Sequence, residues 1–348
     1  MYVGGMRYLS LFSGIGGFEV AIHTVLGKDA ECCGYSEIDT HAISEYEQHY
    51  PSHTNLGDVK SIKKRTIDKM GKIDLIVGGF PCSDLSSMNH KGRQGLDGHK
   101  SGLFWTMLMI IGWARKNNPS VQIIIENNAS MSHKWRDLIT HELSKVFKKN
   151  IHCNYFDSSQ WVPQRRRRYY WTTNKIPAYV NNVNNVNNEN KKSMTTVSDI
   201  LEDVTQKEHF NLLSDTTINY INSAPSHLQG THGHIMQKIK KTIKNNDYRL
   251  YDVDYQTRLD TTGSSSLDLF ARCIDTRYEN SFVLDYRLSR GRLNFVPRFF
   301  TKLEISRLFG FPENYVVSNS KTVYIRLYGM TVVPPVVMHI IHNLGPTS

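Results

Sequence analysis

Tyr8-Leu9-Ser10-Leu11-Phe12-Ser13-Gly14-Ile15-Gly16-Gly17-Phe18 passes from a short apolar run, through a glycine-rich turn, into a helical pattern that continues to Leu26. Glycines at such a turn let backbone amides approach a ligand closely. A turn of this kind also serves as a plain connection between a strand and a helix, so its surroundings decide its meaning. The same alternation repeats outward from it. Cys32-Cys33-Gly34-Tyr35, Ile73-Asp74-Leu75-Ile76-Val77 and Val121-Gln122-Ile123-Ile124-Ile125 are further short apolar runs, and helical patterns fit Thr40 to His49, Gly102 to Lys116 and Lys134 to Phe147. Strands alternating with helices from about Arg7 to Trp171 predict an α/β fold on a mostly parallel sheet, with ligand sites at the carboxyl ends of its strands.

Polar motifs fall at those ends. Glu37 lies 21 residues beyond Gly16 at the end of the second run, where a carboxylate suits ribose hydroxyls, and Asp58 in Gly57-Asp58-Val59 takes a similar place. A nicotinamide dinucleotide fits this trio as well, although Glu19 stands where G-x-G-x-x-G requires its last glycine. Gly78-Gly79-Phe80-Pro81-Cys82-Ser83 follows the third run. A free cysteine is usually a small buried hydrophobe, but a stiff Pro-preceded turn at a ligand edge is a poor place to bury one. Glu126-Asn127-Asn128 ends the next run, and Gln164-Arg165-Arg166-Arg167-Arg168 precedes the aromatic run Tyr169-Tyr170-Trp171, so alternate arginines share one face. Guanidinium forks suit phosphate or the carbonyl of a base, while a basic run is more often a solvated face. Cys82 and Glu126 supply what methylation of cytosine C5 needs, a thiolate to add at C6 and an acid at N3, with the glycine loop beside them for S-adenosylmethionine. A nicotinamide oxidoreductase would leave Cys82, Glu126 and the arginines without roles.

The bulk properties agree. The 348 residues carry 42 Lys and Arg against 32 Asp and Glu, a net +10 that suits a polyanionic partner. Five cysteines, odd in number and without CxxC spacing, read as reduced thiols with no structural metal. Gly4 and Gly5 interrupt any signal-peptide core, and no apolar run approaches the roughly 20 residues of a membrane span, so a soluble, intracellular protein is expected. The stretch 181–190, Asn-rich and low in complexity, reads as a linker. Residues 196–295 are irregular and polar, and helical or apolar patterns return at Lys302 to Phe309 and Val333 to Leu344.

The motifs, in wording and in order, resemble the DNA cytosine-5 methyltransferase family. Phe12 to Glu19 looks like its first motif, Pro81-Cys82 its nucleophile, Glu126-Asn127 its acid and Gln164-x-Arg166-x-Arg168 its arginine motif; Phe309 to Tyr315 and Tyr324 to Pro335 look like its ninth and tenth. The resemblance implies a Rossmann-like methyltransferase sheet with a second, smaller target-recognition domain. It assigns 1–174 to catalysis, 175–297 to target recognition and 298–348 to a segment returning to the catalytic domain. It implies S-adenosylmethionine held by Phe12, Gly14, Gly16, Glu37, Ile38, Asp58, Val59, Pro81 and Leu103, and catalysis by Cys82, Glu126, Arg166 and Arg168. Phe12 would meet the adenine, Glu37 the ribose, Asp58 the adenine amino group and Arg168 the cytosine carbonyl. Residues 83–100 would close on double-stranded DNA around a flipped-out base, and the protein would act as a monomer. Two departures bear on this: Asn128 stands where the acidic motif usually has valine, and Met330 follows Gly329 where Gly-Asn is usual, which predicts weaker cofactor binding. A silent DNA-binding member of the fold and a tRNA cytosine-5 methyltransferase stand as alternatives.

Overall fold

A computed structural model describes residues 5–81, 96, 102–179, 197–200, 202, 250–252, 271, 273–274, 281–289, 292–298, 300–315, 317 and 320–345. The glycine-loop segment forms strand β1 (Met6–Leu11) and helix α1 (Gly17–Leu26). There follow β2 (Ala30–Ser36), α2 (Thr40–His49), α3 (Lys64–Met70), β3 (Leu75–Gly79), α4 (Leu103–Asn117), β4 (Gln122–Asn128), α5 (His133–Phe147), β5 (His152–Asp157) and β6 (Arg167–Thr172). These strands make one six-stranded sheet in the order β2-β1-β3-β4-β6-β5. The first four are mutually parallel, whereas β6 runs antiparallel to both β4 and β5.

Helices on both faces explain why the central strands read as continuous apolar runs: Leu75, Ile76, Val77, Ile123, Ile124 and Ile125 are all fully buried. Each such side chain contributes about 1.5–3 kcal/mol by leaving water. On one face α4 and α5 pack their buried Phe104, Ile111, Ile139 and Phe147 over β3 and β4. Against α1 on the other face lies α8 (Pro334–Asn343), and the segment leading into it comes so close that a Cβ on Gly17 would lie within 2.5 Å of Thr331 Oγ1. The end of the chain is tied to β4 through Gln122 Nε2, which donates to the carbonyls of Leu344 and Gly345 at 3.2 and 3.3 Å.

Elements differ from their sequence reading in instructive ways. The third and fourth runs shift toward their carboxyl ends, so Gly78, Gly79, Glu126 and Asn127 are strand residues with ladder partners rather than the first residues of loops. The short helix α3 and edge strand β5 had no distinct apolar signature. Thr322–Asn343, largely buried, is long and apolar enough to cross a membrane, which the sequence reading did not anticipate. It is divided into α7 (Lys321–Met330) and α8.

The chain forms two compact units. One comprises Met1–Ser158, Arg166–Asn187 and Met330–Ser348, and contains the six-stranded sheet; the other comprises Ser159–Arg165 and Asn188–Gly329. The second carries an antiparallel three-stranded sheet of β7 (Leu250–Asp252), β8 (Ser281–Ser289) and β9 (Arg292–Arg298), then α6 (Lys302–Phe309). A capping box starts α6: Thr301 Oγ1 accepts from Glu304 N, and the Glu304 carboxylate accepts from Thr301 N. The Asn-rich linker 181–190 lies outside the described residues.

Candidate functional site

Beyond β1 the chain turns through Phe12 at φ 57°, Gly14 at 55° and Gly16 at 84°. Glycine accepts the left-handed region freely, whereas holding Phe12 there costs on the order of 1–3 kcal/mol and is sustained by the contacts around it. Ser13 N donates to Ser36 O at 3.2 Å, joining the turn to the end of β2. The Glu37 carboxylate then locks the loop. Its Oε2 accepts from Gly14 N at 2.9 Å, and its Oε1 accepts from Ile38 N at 2.7 Å and Asp39 N at 2.9 Å.

Asn55, which the sequence reading missed, braces this corner. Its Oδ1 accepts from Gly57 N at 2.9 Å and Glu37 N at 3.4 Å, and its Nδ2 donates to Glu37 O at 3.3 Å. The only signal for it was an Asn two residues before a glycine. Asp58 caps the 3-10 turn Val59–Ser61 by accepting from Lys60 N at 2.9 Å, and Val59 is buried beneath it.

These residues fit the adenosyl part of S-adenosylmethionine. A Cβ on Gly14 would meet nothing within 4 Å, so the space before the loop is open. Ile38 is 67 % exposed, an apolar surface free to take a purine face, and lone pairs on Glu37 and Asp58 remain for hydroxyl or amino donors. Leu103 opens α4, partly buried against the core under this edge.

Pro81 is the last described residue before the segment that holds Cys82, and Cys82 and most of the expected closing loop 83–100 lie outside the described residues. The strand leading there is held from β4: Asn127 Nδ2 donates to Phe80 O at 2.9 Å. Gly79 faces Glu126 across the ladder, and a Cβ there would come within 2.8 Å of Glu126 Oε2. Glycine at 79 therefore makes the space the carboxylate fills.

The reversal of β6 brings the arginine motif to the same edge, with Asn128 opposite Arg168 and Glu126 opposite Tyr170. Arg168 Nε meets Glu126 Oε1 at 2.8 Å, both side chains nearly buried. Arg166, also buried, donates from Nη2 to Thr331 O at 2.8 Å, and Arg167 points the other way to Asp157 at 3.2 Å. Burial raises the Glu126 pKa above the ordinary carboxylate range, while the charges of Arg168 and Arg166 pull it back only in part. The result is a carboxyl disposed to hold a proton, beside a guanidinium able to hold a carbonyl. Asn128 turns its Oδ1 to Ser130 N at 2.8 Å, an Asx turn that starts the passage into α5. Met330, at the end of α7, is 48 % exposed.

A family model described as C-5 cytosine-specific DNA methylase matches residues 6–345. The chain belongs to that family. The type II methyltransferase M1.ScrFI of Lactococcus lactis subsp. cremoris is 25 % identical to it over 346 residues, covering 95 % of this chain and 76 % of that protein. An orphan methyltransferase of Bacillus phage SPbeta is 44 % identical over 94 residues, covering 26 % of this chain and 20 % of its own length. In fold it is similar to the Dnmt2 methyltransferase of S. pombe, with a TM-score of 0.65 at 19 % identity over 97 % of this chain and 98 % of that one.

Proposed function

We propose that this member of the family transfers a methyl group from S-adenosylmethionine to C5 of a cytosine flipped out of duplex DNA. The observation that carries the reading is the buried Glu126–Arg168 pair, at the strand edge where Pro81 leads into Cys82 and beside the loop clamped by Glu37.

Cytosine C5 is a weak nucleophile. Addition of the Cys82 thiolate forms an S–C6 bond, and the electron pair of the C5–C6 double bond gains nucleophilic character at C5 as Glu126 delivers its proton to N3. Arg168 holds the base carbonyl and Arg166 supports Arg168 and the substrate. The cofactor, when bound, supplies an electrophilic methyl group at this edge. Loss of the C5 proton to a base then restores the double bond and expels the Cys82 thiolate, and N3 returns its proton to Glu126. Extrusion of the base is required because C6 is out of reach of a thiol inside the stack. Residues 175–297, most of which fall in the second unit, are assigned the contacts that choose the sequence.

The test is methyl transfer from labelled cofactor into mixed-sequence duplex DNA, followed by bisulfite sequencing to locate the product. C5-methylcytosine at a defined sequence, abolished in Cys82→Ala, is expected. No C5-methylcytosine from the unaltered protein would refute the reading.

A further inference from the structure

The stretch 60–72, Lys60-Ser61-Ile62-Lys63-Lys64-Arg65-Thr66-Ile67-Asp68-Lys69-Met70-Gly71-Lys72, carries six cations against one acid. That surplus of five is half of the chain's net +10, concentrated in thirteen residues. It forms the end of the Val59–Ser61 turn, the whole of α3 and the turn into β3, and its apolar anchors are few: Ile62 and Ile67 are buried while all six cations are exposed.

Two of the six have carboxylate partners, Lys64 with Asp68 at 2.6 Å and Lys72 with Asp74 at 2.8 Å. Lys60, Lys63, Arg65 and Lys69 make no ion pair with a described residue; the Lys63 ammonium reaches only the carbonyl of Lys60, at 3.3 Å. Asp68 is claimed twice, by Lys64 and by Asn117 Nδ2 at 3.3 Å, and these hydrogen bonds hold its pKa down. Unneutralised like charges this dense repel one another and give the fold nothing in return.

Placement gives them a use. The strip starts directly after Asp58, on the carboxyl edge that carries the cofactor loop and the catalytic pair, and the Val59–Ser61 turn and α3 both pack against α4. From there α3 carries the charge for roughly 10 Å toward the amino edge, where Arg7 Nη1 donates to Met70 O and Lys72 O, a length that spans about three phosphates of one strand at roughly 3.4 Å of axis each.

We propose that the 60–72 strip is a second DNA-contacting surface, which grips the phosphate backbone flanking the target site without reading its sequence. The choice of duplex DNA as occupant rests on the proposed function; the surplus and placement of charge do not. Phosphate contacts of this kind position a protein and set the salt dependence of binding, and leave specificity to contacts with base edges.

The experiment measures binding of the full chain to a labelled mixed-sequence duplex, without cofactor, from about 50 to 200 mM salt. The variant combines Lys60→Gln, Lys63→Gln, Arg65→Gln and Lys69→Gln. A control combining Lys28→Gln, Lys148→Gln, Lys149→Gln and Lys175→Gln removes equal charge from exposed positions outside the strip. Removing one cation–phosphate pairing lowers the slope of log K against log salt by about 0.9, so the slope is expected to drop by about 2–4 in the strip variant and by less than about 1 in the control. The pair Lys63→Gln with Arg65→Gln, a milder change to the surface, is expected to lower it by about 1–2. An unchanged slope in both strip variants, or an equal drop in the control, overturns the proposal. Methylation by the unaltered protein is read separately: its absence refutes the proposed function and leaves the slope result standing.

Discussion

Glu19, the residue that breaks the dinucleotide glycine pattern, is fully buried in α1, and burial raises its pKa to about 7 despite the hydrogen bond that Tyr46 OH donates to its Oε1 at 3.1 Å. Below about pH 4.5 the carboxyl is protonated whether the chain is folded or unfolded, and its burial carries no ionic cost. Between about 4.5 and 7 the unfolded chain releases the proton and the folded one keeps it, so stability falls as pH rises; above 7 the loss is complete. At 1.36 kcal/mol for each tenfold change in proton affinity, the full loss is about 3 kcal/mol. Glu19→Gln keeps the shape and an oxygen to accept from Tyr46, and removes the titration. Urea denaturation of both proteins from about pH 4.5 to 8 should show near-equal stability at the acid end and a variant more stable by about 3 kcal/mol at the alkaline end. His53, whose Nδ1 lies 2.9 Å from Tyr46 OH, has its pKa pushed down to about 4 by burial; it adds stability as pH rises from about 4 to 6.5, equally in both proteins, and so drops out of their difference. A stability gap that does not change with pH refutes the reasoning.

Three further outcomes follow from the site. Glu126→Gln should lower the methyl-transfer rate by about 100- to 10,000-fold and abolish the fall in rate that the unaltered enzyme shows as rising pH deprotonates its raised carboxyl; pH–rate profiles check both. Gly79→Ala should push the Glu126 carboxylate out of place and cost at least about tenfold in rate with a small change in melting temperature, whereas Gly78→Ala, whose Cβ would come within 2.7 Å of the Leu11 carbonyl, should destabilise by about 1–3 kcal/mol. Asn127→Ala should release Phe80 O at the cost of about 1 kcal/mol in stability, seen by denaturation, and slow the reaction with little effect on cofactor affinity, measured by calorimetry.

What the sequence made legible was local. The strand, glycine turn and helix at 8–26 could be read because turn and helix signals lie within a few residues of one another, and Glu37 and Glu126 could be placed at strand ends because parallel strands separated by helices share an edge; Asp58, expected in a similar place, instead follows the isolated bridge of Tyr35 with Asn55 and caps a 3-10 turn, and Cys82 lies outside the described residues. The reversal of β6 could not be read. Tyr169-Tyr170-Trp171 is equally apolar in either direction, and its orientation is fixed by pairing with β4, more than forty residues earlier. Asn55 and Asn127 were opaque for a related reason: an asparagine pins a corner only when register sets its amide beside a particular carbonyl. The surplus of lysine in 60–72 was visible, but its start beside Asp58 and its packing against α4 were not.

The reversed strand also resolves a conflict within the chemistry. In the proposed reaction, protonation of cytosine N3 asks Glu126 to carry a proton, while Arg168 at 2.8 Å favours its ionised form. A solvated pair would settle on the ion. Here burial is the larger effect and leaves the carboxyl raised even with both arginines present. A base carbonyl entering the site competes with Glu126 for the Arg168 guanidinium. Each hydrogen bond that Arg168 gives to the base is one withdrawn from the carboxylate, so the pull toward the ion weakens while burial is unchanged, which favours the proton further even with Arg166 still in place. An antiparallel neighbour is what makes this competition possible, because it sets Arg168 close enough to hold the acid in place in the free enzyme and still at the open edge, where a substrate can take it away.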